Sequence, residues 1–312
     1  MACGNRRASV CPSCSEVYRA DTFQLIRAGL SGGKGVPQEV SGHPRAFVTL
    51  TAPSFGPVHT RREKGGTVRA CRPCKRDKLC EHGHPVGCRA RHEPEDGRLG
   101  QPVCDRCYDY VGAVLWQAHA GTLWHRFTLE VRRTLAGEAG LSRREFARRV
   151  RVSFAKVAEY QRRGLVHFHA IVRLDGPGGG SEVPPGWADH GLLTRAIPPA
   201  VQRVTVTSPP SDLGRWDLIW GDQLDIRPIL LDQAADGLSE RAVAGYIAKY
   251  ATKGAEARER HGLPAFGDET TLVLGHWRFA GSGYSPGEAI MAEHIRQKVA
   301  TARKIATERE DG

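Results

Sequence analysis

The chain has 312 residues and a mass of 34.1 kDa, with 40% hydrophobic residues, enough to bury a real core in one large or two moderate domains. Lys and Arg number 45 against 34 acidic residues, a formal charge of +11 with a pI near 9.4, and 36 of the 45 are Arg. The planar Arg fork suits phosphates and base edges, so the first partner class is nucleic acid. No stretch approaches the roughly 20 apolar residues of a membrane span, and MACGNRRASVCPSC carries no apolar centre like that of a secretory signal. Nine cysteines without such a signal point to a reducing, cytoplasmic setting, where Cys clusters bind metal rather than form disulfides.

Residues 1–110 hold all nine cysteines (3, 11, 14, 71, 74, 80, 88, 104 and 107) among many Gly, Pro and Arg. They read as a zinc-binding region that lends one buried strand, residues 46–51, to the unit C-terminal to it. The pairs Cys11/Cys14, Cys71/Cys74 and Cys104/Cys107 each resemble half of a tetrahedral Zn²⁺ site. Which pairs share an ion is open, because Cys3, Cys80, Cys88, His82, His84 and His92 are further candidates. Such zinc would be structural, and the loops around it offer Arg72, Arg76 and Lys78 to DNA phosphates.

Residues 111–270 form the second unit. Val111, Val114, Leu115 and Ala118 recur at helical spacing, and residues 123–135 continue in that style. Ser142 and Glu145 frame a capping box that opens a short helix. Residues 153–174 read as a hairpin, 176–186 as a Gly/Pro loop, and 216–220 and 226–231 as short strands. A helix is expected from Glu240 to Lys253, with Ser239 as its N-cap and Gly254 as its stop. Residues 271–312 form a C-terminal segment with a Trp/Phe-containing stretch and a charged helix from Pro286 onward.

The stretch LVHFHAIVRL (165–174) is the most informative. Strand side chains alternate, so Val166, Phe168, Ala170, Val172 and Leu174 make an apolar face, while His167, His169, Ile171 and Arg173 point the other way. Two imidazoles then lie about 6.5–7 Å apart at Cα on one face, suited to a shared cation. The loop Arg162-Arg163-Gly164 fits a three-residue turn with Gly in the left-handed conformation. That register sets Gln161 opposite Leu165 and Glu159 opposite His167, a carboxylate beside two imidazoles. A slip of one residue would put Tyr160 there instead, and Gln161 is the substitute candidate on the same face.

GYIAKYATK (245–253) is the second feature. On a helix Tyr246 and Tyr250 stand one turn apart, as do Lys249 and Lys253, with Val243, Ile247 and Ala251 packing beneath. A phenol oxygen can attack phosphorus, and a neighbouring ammonium favours the phenolate and neutralises phosphate.

The strand at 46–51, His-x-His, and Tyr-x-x-x-Tyr-x-x-Lys stand in the order of the three rolling-circle replication motifs. The chain thereby resembles replication initiators of the HUH endonuclease superfamily, more narrowly those of actinobacterial integrative conjugative elements and plasmids. The resemblance rests on CGNRRASVCPSC (3–14), FVTLTAPSFG (47–56), EYQRRGLVHFH (159–169) and GYIAKYATK (245–253), and spans roughly residues 3–285. It implies an α+β fold with a central antiparallel sheet of the RRM-like type flanked by helices. It implies Mg²⁺ or Mn²⁺ on His167 and His169, to which the hairpin register adds Glu159 as the candidate third ligand, and it implies nicking of one strand of origin DNA by Tyr246, Tyr250 or both. Against the family's pattern the chain is expected to be short at its N-terminus and abbreviated after Lys253. Without a Walker-type motif, a host helicase as well as a polymerase is implied. The alternative is a non-catalytic zinc-containing DNA-binding protein or an inactive truncated initiator.

Overall fold

A computed structural model of the protein describes residues 8–74, 78–211, 214–230, 239–260 and 272–275, the side chains of 252–260 and 272–275 excepted. The expected C-terminal helix from Pro286, together with Cys3 and Arg76, lies outside the described residues. The first element is a helix, α1 (Pro12–Ser31), inside the Cys-rich region where the sequence predicts only the strand at 46–51. Pro12 stands at its first turn, where no amide hydrogen is needed. Thr22, Ile26 and Leu30, four apart, form its buried stripe.

A strand, β1 (Arg45–Leu50), comes next, then a small hairpin of β2 (Arg62–Lys64) and β3 (Thr67–Arg69). The helical spacing from Val111 onward becomes one 29-residue helix, α2 (Tyr110–Glu138). The capping box is present: the Glu145 amide donates to Ser142 Oγ and the Ser142 amide to Glu145 Oε2, opening α3 (Arg143–Arg149). The hairpin comprises β4 (Arg151–Tyr160) and β5 (Val166–Asp175), and after it come α4 (His190–Gln202), β6 (Thr205–Thr207), β7 (Asp217–Ile219) and β8 (Leu224–Pro228). The Tyr-containing helix is α5 (Glu240–Arg260), and β9 (Leu272–Gly275) closes the order. At the start of α5 the Ala242 amide donates to Ser239 Oγ, as expected of an N-cap. Gly254 does not stop this helix. Ala255, Glu256, Ala257, Arg258 and Glu259 are strong helix formers and carry it to Arg260.

Five strands form one sheet in the order β8-β1-β5-β4-β9, and every pairing is antiparallel. Both faces are covered. On one, Val166, Phe168, Ala170, Val172 and Leu174 pack with Trp116, Leu123, Trp124 and Phe127 of α2 and Leu193 and Ile197 of α4. On the other, Phe47, Ala155, Val157 and Ile171 meet Ile26 and Leu30 of α1 and Val243, Ala244, Ile247 and Ala251 of α5. The His-bearing face is thus an interior one for most of its length. Ile247 is fully buried in this seam, so the seam fixes which way α5 turns Tyr246; truncating a side chain so placed costs about 2–5 kcal/mol.

Buried charge locks the same seam. Arg173 grips Asp175 with two parallel bonds of 2.6 and 2.9 Å, and Asp175 also accepts from His43 Nδ1 at 2.7 Å and Ser153 Oγ at 2.5 Å. Arg173 donates onward to the Gly29 carbonyl, and Arg45 donates to the Leu30 carbonyl at 2.9 Å. Helix α1 has no basic residue in its last turn, so guanidinium groups from the sheet answer the negative end of its dipole. Arg45 also pairs with Glu240, in the first turn of α5. Both helices are therefore tied to the sheet through β1 and β5. Among the described residues no helix is long and apolar enough to cross a membrane.

Candidate active site and metal centres

The β4–β5 turn decides the first cluster. Gly164 adopts φ +79°, its amide donates to the Gln161 carbonyl, and the Gln161 amide donates to the Leu165 carbonyl. This three-residue turn sets Glu159 opposite His167 and Val157 opposite His169. Glu159 Oε2 then lies 2.9 Å from His167 Nε2 and 3.0 Å from His169 Nε2, and the two nitrogens are 3.1 Å apart. Three ligand atoms converge on one point. Glu159 and His167 keep 24% and 18% of their side-chain surface, so the cluster is reachable from solvent.

Helix α5 brings the phenols to this point. Tyr246 donates from Oη to Glu159 Oε2 at 3.2 Å, and that oxygen lies 3.0 Å from His169 Nε2. The Tyr250 ring is 4.6 Å from that of Tyr246 and 6.0 Å from His169, centroid to centroid. Lys249 is exposed, with Nζ 5.2 Å from the centre of the Tyr250 ring. Lys253 belongs to α5, but its side chain lies outside the described residues.

Neighbours from β1 and β8 complete the site. Phe47 stacks on His169 at 5.7 Å and meets Tyr246 edge-on at 5.5 Å. Thr49 Oγ1 lies 3.0 Å from His169 Nδ1. An Nδ1–H donated to Thr49 leaves the Nε2 lone pair facing Glu159 and His167, the tautomer a metal ligand needs. Thr49 also stands opposite Asp225 of β8, whose charge reaches His169. Sequence reading missed Thr49 and Asp225, since only cross-strand register brings them here.

The electrostatics suit a cation. Burial pushes the Glu159 carboxyl up, but the imidazoles of His167 and His169 beside it outweigh that and hold it well below the usual carboxylate range. Burial lowers His169, against the pull of Glu159, so the ring is biased toward its neutral, ligating form. Burial raises the Tyr246 phenol strongly, and the Glu159 charge adds to it; Tyr250 is raised by the same two causes.

Two further groups lie between β1 and α2. One is His59, Cys71, Cys88 and His92; the other is Cys80, His82, Cys104 and Cys107. Of the three Cys-x-x-Cys pairs, only Cys104/Cys107 stays together in one group. Cys71 parts from Cys74, which belongs to neither, and Cys11 and Cys14 lie at the start of α1. His59 was not legible as a ligand, because no Cys or His stands at ligand spacing beside it in the sequence.

A family model described as replication initiator protein, pSAM2, matches residues 1–265. A replication initiator protein of Streptomyces ambofaciens is 37% identical over 394 aligned residues, covering 99% of this chain and 82% of that relative. No solved structure matches. With a family model across most of its length and a relative this similar, the chain belongs to the pSAM2 replication initiator protein family.

Proposed function

We propose that the chain starts replication by nicking one strand of origin DNA with a tyrosine hydroxyl, keeping the 5′ end as a phosphotyrosine and freeing a 3′-OH to prime synthesis. This is the rolling-circle chemistry of HUH-type initiators. The observation that carries the reading is the Tyr246 hydroxyl within 3.0 Å of His169 Nε2 and 3.2 Å of Glu159 Oε2, at the mouth of a two-His, one-carboxylate cluster.

The cluster fits an octahedral divalent ion. Neighbouring ligands of such an ion, with bonds of 2.0–2.1 Å, stand about 2.9 Å apart. The ligand atoms here are 2.9, 3.0 and 3.1 Å apart. Glu159, His167 and His169 would hold Mg²⁺ or Mn²⁺, which when bound supplies polarisation of the scissile phosphate.

Everything else falls to the chain itself. Thr49 fixes the His169 tautomer, and Phe47 keeps ring and phenol in place. Tyr246 Oη forms a bond to phosphorus as the bond from phosphorus to O3′ breaks, and the phenol proton ends, net, on the 3′ oxygen. The phosphotyrosine preserves the energy of the broken linkage, so a later 3′-OH can reverse the step. Tyr250, one turn along, is the second nucleophile for closing a round. Lys249, exposed beside it, offers charge to the DNA backbone, and the +11 net charge draws the strand in. A host helicase opens the duplex for this reaction and a host polymerase extends the 3′ end.

The test is conversion of supercoiled plasmid carrying the replicon's origin to the open-circular form. Nicking is expected with Mn²⁺ and none with EDTA. The Tyr246→Phe/Tyr250→Phe variant should bind the same DNA and leave it intact. Binding without nicking by the parent protein, in either Mg²⁺ or Mn²⁺, would replace this reading with that of a non-catalytic DNA-binding protein.

A further inference from the structure

The geometry points to two structural Zn²⁺ sites whose ligands interleave along the chain between β1 and α2. The first takes His59, Cys71, Cys88 and His92, and the second Cys80, His82, Cys104 and Cys107. In chain order two ligands serve the first ion, two the second, two the first and two the second. The two ions would therefore cross-brace one stretch of polypeptide.

Distances support tetrahedral zinc. With bonds of about 2.3 Å to sulfur and 2.0–2.1 Å to nitrogen, the edges of a tetrahedron are about 3.8 Å (S to S), 3.5 Å (S to N) and 3.3 Å (N to N). In the second group Cys80 Sγ and Cys104 Sγ are 3.8 Å apart, and His82 Nδ1 lies 3.2 Å from Cys107 Sγ. In the first group His59 Nδ1 and His92 Nε2 are 3.2 Å apart, Cys88 Sγ lies 3.6 Å from His92 Nε2, and Cys71 Sγ lies 4.0 Å from His59 Nδ1. Four nitrogen and sulfur donors with no carboxylate make a closed site of the kind zinc occupies structurally. The outer contacts agree. His92 Nδ1 donates to Asp96 at 2.7 Å, which turns Nε2 to the ion, and the Thr60 amide donates to Cys71 Sγ at 3.2 Å.

Burial supplies the second, independent argument. Among the described residues from 57 to 109, only Cys71, His92, Leu99 and Cys104 are buried. Three of these four are proposed ligands, so the interior of this segment is its metal sites and almost no apolar core is present to hold it otherwise. The segment also braces the hairpin. A Cβ on Gly100 would meet the Arg162 carbonyl oxygen at 2.3 Å, and just ahead of the segment the Ala52 and Pro53 carbonyls accept from Arg163 at 3.0 and 2.9 Å.

The test is metal content of the full chain, purified without chelator, by mass spectrometry of the elements. Cys71→Ser and Cys107→Ser should each lose one zinc relative to the parent, the double variant two, and Cys74→Ser none. Should the variants fail to fold, alkylation of the native parent decides the matter. Cys74, Cys80, Cys88 and Cys107 are all half-buried. Only Cys74 of these should react until a strong chelator is added. Loss of zinc in Cys74→Ser, loss of one and the same ion in both single variants, or a parent without zinc would overturn the assignment. So would a Cys80–Cys104 disulfide in protein purified under reducing conditions.

Discussion

Replacing Thr49 by Val probes how the protein prepares His169. The swap keeps the β-branched shape that suits β1 and removes only the hydroxyl 3.0 Å from His169 Nδ1. The side chain of His169 is 6% exposed, so an unpaired Nδ1–H would be left without water, at a cost of about 1–3 kcal/mol. The ring can escape that cost by moving its proton to Nε2, which removes the lone pair from the metal position. Either outcome weakens the cation site, and loss of such an outer contact typically costs about 10–100-fold in metal affinity. Titration of the purified chain with Mn²⁺, followed by the electron-spin resonance of the free ion, reads this directly and needs no DNA. The variant should bind Mn²⁺ about 10–100-fold more weakly at Glu159, His167 and His169, and Thr49→Ser should recover most of the loss. Unchanged Mn²⁺ affinity in a folded Thr49→Val protein would refute the role given to Thr49 and the tautomer argued from it.

Other expectations test the scaffold and the DNA interface. Lys156 lies on the α2 face of the sheet, with Nζ 4.0 Å from the centre of the Phe168 ring and 5.2 Å from that of Trp124, and burial lowers it from 10.5 to about 7. The folded chain then binds fewer protons than the unfolded one between those values, so stability rises with pH from about 7 to 10.5. Lys156→Met should be the more stable protein at pH 6, by up to about 5 kcal/mol, with the advantage shrinking toward pH 10 in urea unfolding. Asp175 has its folded value depressed: burial raises it, and the bonds from His43 and Arg173 more than reverse that. Its contribution is present above the unfolded value of 3.8 and is lost as pH falls through the lower folded one. Asp175→Ala should cost about 3–5 kcal/mol at pH 7, with the difference from the parent fading in acid. Affinity for single-stranded DNA should fall at least about tenfold between 50 and 200 mM salt, as displaced counterions require; a flat response would remove the basic surface from the account.

What could be read from the sequence was local. The hairpin register came from Arg162-Arg163-Gly164 and the alternation on β5, and it put Glu159 opposite His167 as observed. The buried strand near Phe47, the capping box at Ser142 and the N-cap at Ser239 were likewise set by neighbours in the chain. The rest depends on contacts between distant segments. Helix α1 was hidden because its buried stripe acquires meaning only against α5 and the sheet. Arg45 and Arg173 look like ordinary basic residues until helix carbonyls and Asp175 are brought to them. The Cys-x-x-Cys rule groups neighbours, whereas the two clusters alternate along the chain, so it separated partners and joined Cys71 to Cys74. The meeting of Tyr246 with the His cluster was inferred from motif order, and spacing along the chain could not supply the distance.

The most direct test of the proposed chemistry is to find which residue carries DNA. The chain is incubated with Mn²⁺ and single-stranded oligonucleotides tiling the origin, denatured, and digested with trypsin, which cleaves after Arg241, Lys249 and Lys253 and so separates Tyr246 from Tyr250. The expected result is the downstream part of the oligonucleotide, joined through its 5′ phosphate, on the peptide 242–249, the peptide 250–253, or each in turn. An adduct on any other residue, or one that persists in the Tyr246→Phe/Tyr250→Phe variant, would contradict the account.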